Sequence, residues 1–174
     1  AQLSFVAAVG LYDALGNVSP AGHQLHLKWP NDVLLQEKKV AGLLLESEGA
    51  GGDAPPDFVI VGLGLNVEHF PDDARYPATS LRFEHWTTSV EEALEAFARS
   101  FLVWANRWVD EGFEPIRRTW LQRCIGLGDA IEVRLETETR HGIFRDMDET
   151  GALVLERDGG TERIAAGDVY FPAT

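Results

Sequence analysis

The pattern of apolar and polar positions changes texture along this chain. Residues 3–15 (LSFVAAVGLYDAL) are apolar on nearly every side and predict a buried helix that ends by Gly16. Shorter runs follow at 25–29 (LHLKW), 32–36, 39–47 (KVAGLLLES) and 58–67 (FVIVGLGLNV), and these predict strands. The last run is apolar on both faces, which predicts a central strand. Pro30 has no N–H for a ladder, so Pro30-Asn31 should end the first strand, and Gln36-Glu37-Lys38 should turn the second into the third. Gly49 to Pro56 and residues 68–80, which contain Pro71 and Pro77, predict loops. Ser89 with Glu92 forms a capping-box signal. Behind it Leu94, Phe97, Ala98, Phe101, Ala105 and Trp108 recur at helical spacing, predicting a helix over about 90–110 with one face on the sheet. A second helix should follow Pro115 and run through Trp120 to Arg123.

From Gly126 the runs become short and alternating (AIEVRL, HGIFRDM, ALVLER, ERIAA). Turn signals separate them at Gly128-Asp129, Thr150-Gly151, Asp158-Gly159-Gly160 and Gly167-Asp168. That spacing predicts a small antiparallel barrel. The expected organisation is therefore α+β, with one domain over 1–124 and a second over 125–174. A length of 174 residues accommodates both.

The formal net charge of -13 argues against a nucleic-acid partner and against docking on anionic lipid. The single cysteine, Cys124, allows no internal disulfide and suits a reducing cytoplasm. No apolar run approaches the length of a membrane span, and no signal peptide is visible. The chain starts at Ala1, with a helical pattern already open at Leu3, so a fragment of a longer protein is expected.

Against this acidic background all three lysines, Lys28, Lys38 and Lys39, fall in one window, while every other cation is arginine. Lysine is a compact mobile point charge and arginine a planar fork, so the window suits a small anion such as a carboxylate or phosphate. A solvated basic turn is the alternative. Asp32 should face Lys39 across the hairpin, either as a structural ion pair or as an acid/base partner. Gly62 and Gly64 allow a ligand close to the backbone, and Asn66 offers donor and acceptor; a tight turn capped by Asn reads equally from the same residues. Trp29 suits a ligand stack or, more commonly, the core. His23 and His26 do not share a strand face and read as solvated, not as metal ligands.

Lys28-Trp29-Pro30-Asn31-Asp32, then Lys39-Val40-Ala41-Gly42 with Leu43-Leu44-Leu45-Glu46, then Gly62-Leu63-Gly64-Leu65-Asn66-Val67, resemble biotin-protein ligases in order and spacing. Ala78-Thr79-Ser80-Leu81, Gly142-Ile143 and Thr150-Gly151-Ala152-Leu153 extend the likeness to nearly the whole chain. The resemblance implies part of a mixed catalytic sheet with helices and an SH3-like C-terminal barrel. It implies synthesis of biotinyl-5'-adenylate from biotin and ATP with Mg2+, then transfer to a lysine of a biotin carboxyl carrier domain. By resemblance Lys39 meets the biotin carboxylate and the α-phosphate, and Asp32 orients or deprotonates the acceptor lysine. Asn31 and Asn66 lie along the ATP side, Gly42 admits biotin to the backbone, and Lys28, Trp29 and Gly64 complete the substrate-binding set, with no protein ligand to a metal. A homodimer and a lipoyl-transferring or non-catalytic relative are further expectations. The family's glycine- and arginine-rich loop and its neighbouring strands have no counterpart in these residues, so the 174-residue chain alone is expected to be nearly inactive.

Overall fold

The computed structural model describes residues 2–48, 56–72 and 76–172. The loop expected from Gly49 lies outside the described residues except for Pro56. The observed class is α+β: α1 (Gln2–Val18), β1 (Leu25–Lys28), β2 (Asp32–Leu35), β3 (Lys38–Glu48) and β4 (Phe58–Leu65) precede α2 (Val90–Glu111) and α3 (Glu114–Arg123). Then come β5 (Ala130–Arg134), β6 (Thr139–Met147), β7 (Leu153–Arg157), β8 (Gly160–Ile164) and β9 (Asp168–Tyr170).

The first sheet runs β1-β2-β3-β4 and is antiparallel throughout, not mixed. β4 is an edge strand among the described residues, not a central one, and Phe58, Val59 and Ile60 are exposed along it. One face of this sheet lies under α1, whose residues from Phe5 to Leu11 are all buried. A helix apolar all round needs cover on both sides. α2 supplies the second side, so it packs on α1 and not on the sheet. The capping box at its start is present, with Ser89 N–H donating to Glu92 Oε2 at 2.8 Å and Glu92 N–H to Ser89 Oγ at 3.2 Å. Its buried stripe is Ala93, Ala96, Phe97 and Trp104, so Leu94 and Ala98 point outward, contrary to the expected face.

The second sheet runs β8-β7-β6-β5-β9 and stays open: β8 and β9 do not pair, so the expected barrel does not close. β9 sits where Asp168 reads as a turn residue, because three residues are too few to show an alternation. A continuous apolar cluster joins both sheets. Trp29 is 1% exposed, and its indole N–H donates to Gly151 O at 3.0 Å. Arg117 on α3 holds both oxygens of Asp146 at 2.7 and 2.6 Å and donates to Met147 O at 2.5 Å. Phe5 packs against Trp120 and against the β6–β7 turn.

Gly151 carries that contact. Its φ is +92°, and a Cβ there would stand 2.4 Å from Phe5 Cε2. Gly151→Ala therefore combines backbone strain with overpacking and is expected to cost roughly 2–4 kcal/mol in urea unfolding. The same change at Gly16, a helical position with nothing within 4 Å, should instead raise stability by about 0.5 kcal/mol.

Candidate active site

One face of the first sheet carries Lys28 and Lys39, whereas Lys38 leaves the group and pairs with Glu84 at 3.4 Å. Register places Lys28 opposite Asp32, Asp32 opposite Gly42, and Gly42 opposite Gly64. Cross-strand partners share a face. Two charged side chains and two bare backbone positions are thus set side by side. Lys39 does not stand opposite Asp32, as the simple hairpin predicts; it pairs with Leu34. The turn is Gln36 and Glu37 alone, with Lys38 already in β3, and this sets Lys39 opposite Leu34; a bulge between Val33 and Leu34 then moves Asp32 opposite Gly42. Bulges re-aim side chains, and here the lysine reaches the carboxylate all the same.

Asp32 is consequently held from both sides. Its Oδ2 accepts from Lys28 Nζ at 2.8 Å, and its Oδ1 lies 2.5 Å from Lys39 Nζ. Lys28 is only 3% exposed, while the side chain of Lys39 remains 40% exposed. Lys28 also lies 4.9 Å from the centre of the Tyr76 ring. Burial, with the charges of Glu37 and Asp32, raises the Tyr76 phenol above its ordinary range. The two ammoniums and one carboxylate leave one net positive charge at the base of a cleft of about 310 Å³. Gly42 makes room for this arrangement: a Cβ there would meet Lys39 Cε and Nζ at 3.3 Å.

Lys28, Asp32, Lys39, Gly42, Gly64 and Asn66 all line this cleft. Asn66 is fixed at the end of β4 by its N–H to Val40 O at 2.8 Å, and its amide donates to Thr79 O at 3.0 Å. The side-chain oxygen has no protein donor among the described residues. Trp29 and Asn31 do not join the group. Trp29 is core, and the Asn31 side-chain amide donates to Leu43 O at 2.6 Å while the Asn31 backbone carbonyl accepts from Leu43 N–H at 3.0 Å. Both line a neighbouring larger groove with Leu44 and Val59. His23 is not simply solvated either, since its Nε2 lies 3.0 Å from Glu84 O. Sequence reasoning missed Tyr76, Asp168 and Tyr170, which complete the cleft. Tyr76 stands in a proline-marked loop with no periodicity, and the other two ride on the unrecognised β9.

A bare backbone floor beside a mobile cation suits a flat neutral body with an anionic end. Residues 1–122 match the model of the biotin/lipoate A/B protein ligase family, and residues 126–171 match the biotin protein ligase C terminal domain. The chain is 43% identical to a biotin–[acetyl-CoA-carboxylase] ligase of Paracoccus denitrificans, over 98% of its own length and 73% of that protein. It is 32% identical to a bifunctional ligase/repressor of Bacillus spizizenii, and there it spans about half of the relative, 52%. Among solved structures, a biotin protein ligase-like protein of unknown function from Silicibacter sp. superposes with a TM-score of 0.80 at 29% identity, covering 93% of this chain and 70% of that one. A biotin protein ligase from Aquifex aeolicus, in complex with biotin and ATP, gives 0.77 at 25% identity, covering 97% and 70%. The fold is that of the biotin/lipoate protein ligases. Within that class the chain belongs to the biotin protein ligase family.

The burial of Lys28 gives Asp32 a structural role. Asp32→Asn leaves an ammonium in the interior without its counter-charge and is expected to cost roughly 3 kcal/mol in urea unfolding. Adding Lys28→Met should recover most of that loss; a double variant no more stable than the single one would show that the pair is not coupled.

Proposed function

We propose that this protein is an ATP-dependent ligase that forms biotinyl-5'-adenylate and passes biotin to a lysine of a biotin carboxyl carrier domain. Residues 1–124 form its catalytic part, and residues 125–174 a module that supplies one wall of the cleft. The observation that carries this reading is the Lys28–Asp32–Lys39 triad beside the Gly42–Gly64 floor.

Adenylation brings two anions together. A biotin carboxylate oxygen attacks the α-phosphorus of ATP, the bond to the β-phosphate oxygen breaks, and pyrophosphate leaves with the bonding pair. Lys28 is anchored by burial, whereas Lys39 is half free. Lys39 is therefore the cation that turns from Asp32 to the carboxylate and α-phosphate as charge concentrates there. Its departure releases Asp32 Oδ1. In the second step the acceptor amine gives a proton to the released oxygen of Asp32 and attacks the acyl carbon, the carbon–oxygen bond to phosphate breaks, and AMP leaves with the bonding pair. Gly42 and Gly64 let the biotin ring lie against backbone, and Asn66 offers its free oxygen toward the nucleotide. Asn31 and Trp29 act by holding the β1–β2 turn that aims Lys28 and Asp32.

Among the described residues no group of three or more His, Cys, Asp or Glu gathers as a metal site. Mg2+ would arrive on the ATP phosphates with most of its own water, as this ion commonly binds. No helix among the described residues is long and apolar enough to cross a membrane. The working compartment is the cytoplasm, and the partner is the carrier domain. The exposed apolar edge of β4 supports a homodimer.

In the complete protein, Lys39→Ala is expected to lower biotin-dependent pyrophosphate release by ~10²–10³. Lys39→Arg should restore little of it, because the fork does not fit beside Gly42 and Asp32. Near-normal release by the alanine variant would remove Lys39 from this role. Absence of biotin-dependent release from the unaltered protein would favour a non-catalytic module that keeps the fold.

A further inference from the structure

The cleft has walls of opposite charge, and adenylation uses only one of them. Its inner end is the triad, with one net positive charge and Lys28 buried. The facing wall is β9. There Val169 is buried, and Asp168 and Tyr170, on the alternate face, line the cleft. Arg134 stands across from Asp168 in the register of β5 and β9, but its guanidinium is engaged elsewhere. It donates to Glu132 Oε1 at 2.5 Å and lies 3.8 Å over the Tyr170 ring. Glu132, Arg134 and Asp168 together carry one net negative charge. No described side chain pairs with Asp168, which is exposed. The cation is therefore at the base and the anion at the rim.

We propose that Asp168 receives the ammonium of the acceptor lysine as the carrier domain docks; this rests on the ligase reading above. The acceptor arrives protonated, since a lysine titrates near ~10.4. The positive inner end opposes its entry, and a carboxylate at the rim offsets that opposition and orients the side chain. Asp32 is buried at the inner end and Asp168 is exposed at the rim, so an entering acceptor passes Asp168 before it reaches Asp32. Asp168 is an acceptor-binding residue and takes no part in making or breaking bonds.

The test uses Asp168→Asn and Asp168→Glu in the complete protein. Adenylate formation is measured by biotin-dependent pyrophosphate release. Transfer is measured in single turnovers from preformed adenylate, over a range of carrier concentration and ionic strength. The Asn variant is expected to raise the apparent KM for the carrier roughly five- to tenfold, to lower the saturating transfer rate far less, and to weaken the salt dependence of capture. The Glu variant should restore most of the loss. An unchanged KM at low salt overturns the proposal. So does a fall in adenylate formation as large as the fall in transfer, which would put Asp168 on the nucleotide or its Mg2+. A failure of the unaltered protein to form adenylate would overturn the ligase reading instead, so the two failures are distinguishable.

Discussion

A single buried carboxylate, Asp32, organises the working face of this protein. Lys28 is placed in the interior by its position at the end of β1, and a buried ammonium is costly unless it is paired. Asp32 lies directly across the β1–β2 hairpin and meets that need with one oxygen. Its other oxygen is left to hold Lys39, which the bulge in the β2–β3 register allows to reach it. One acid thus makes one lysine permanent and keeps the other on loan. The permanent cation sets the charge of the cleft, and the mobile one can follow charge as it develops.

The same stretch of chain ties the second sheet to that face. Lys28 ends β1 and enters the cleft, and Trp29, the first residue of the turn that follows, enters the core. The Trp29 indole bonds to Gly151 O, Phe5 fills the space that a side chain at 151 would take, and Arg117 grips Asp146. These contacts fix the five-stranded sheet against α1, α3 and the β1–β2 turn. They also fix β9, the strand that brings Asp168 and Tyr170 over the cleft. Docking of the second sheet is in this sense part of building the site, although its contacts lie away from the triad.

What could be read from the sequence was what is local. The capping box of α2, the α1 run and the Pro30–Asn31 break depend on near neighbours, and each appears as expected; of the three lysines, Lys28 and Lys39 meet at the cleft while Lys38 pairs with Glu84. What depends on partners distant in the chain was not legible. The hydrogen bond from Trp29 joins residues 122 positions apart, and nothing near Trp29 hints at it. The outward side of α2 carries Leu94, Leu102 and Val103, so apolar periodicity alone could not tell which side α1 would cover. The pairing of Asp32 with Lys39 was correct as a contact and wrong as a register, because the hairpin turns on Gln36 and Glu37 alone and so sets Lys39 opposite Leu34. The edge position of β4 was hidden by its apolar character on both faces.

The charge arithmetic of the whole chain and that of the cleft point in opposite directions, and distance decides which one a ligand meets. The net charge of -13 is spread over a surface whose carboxylates are largely solvated. At physiological ionic strength such a field is screened within about 8 Å. The triad is different. Lys28 and Asp32 are buried, and the glycine floor brings no side chain between them and a ligand. A group that enters the cleft meets the triad at contact range, where screening has little effect. An acidic protein can therefore present a positive site to a small anion. The acidic β9 rim adds a second, short-range preference on the way in, so the cleft can sort its anionic and cationic reactants by depth.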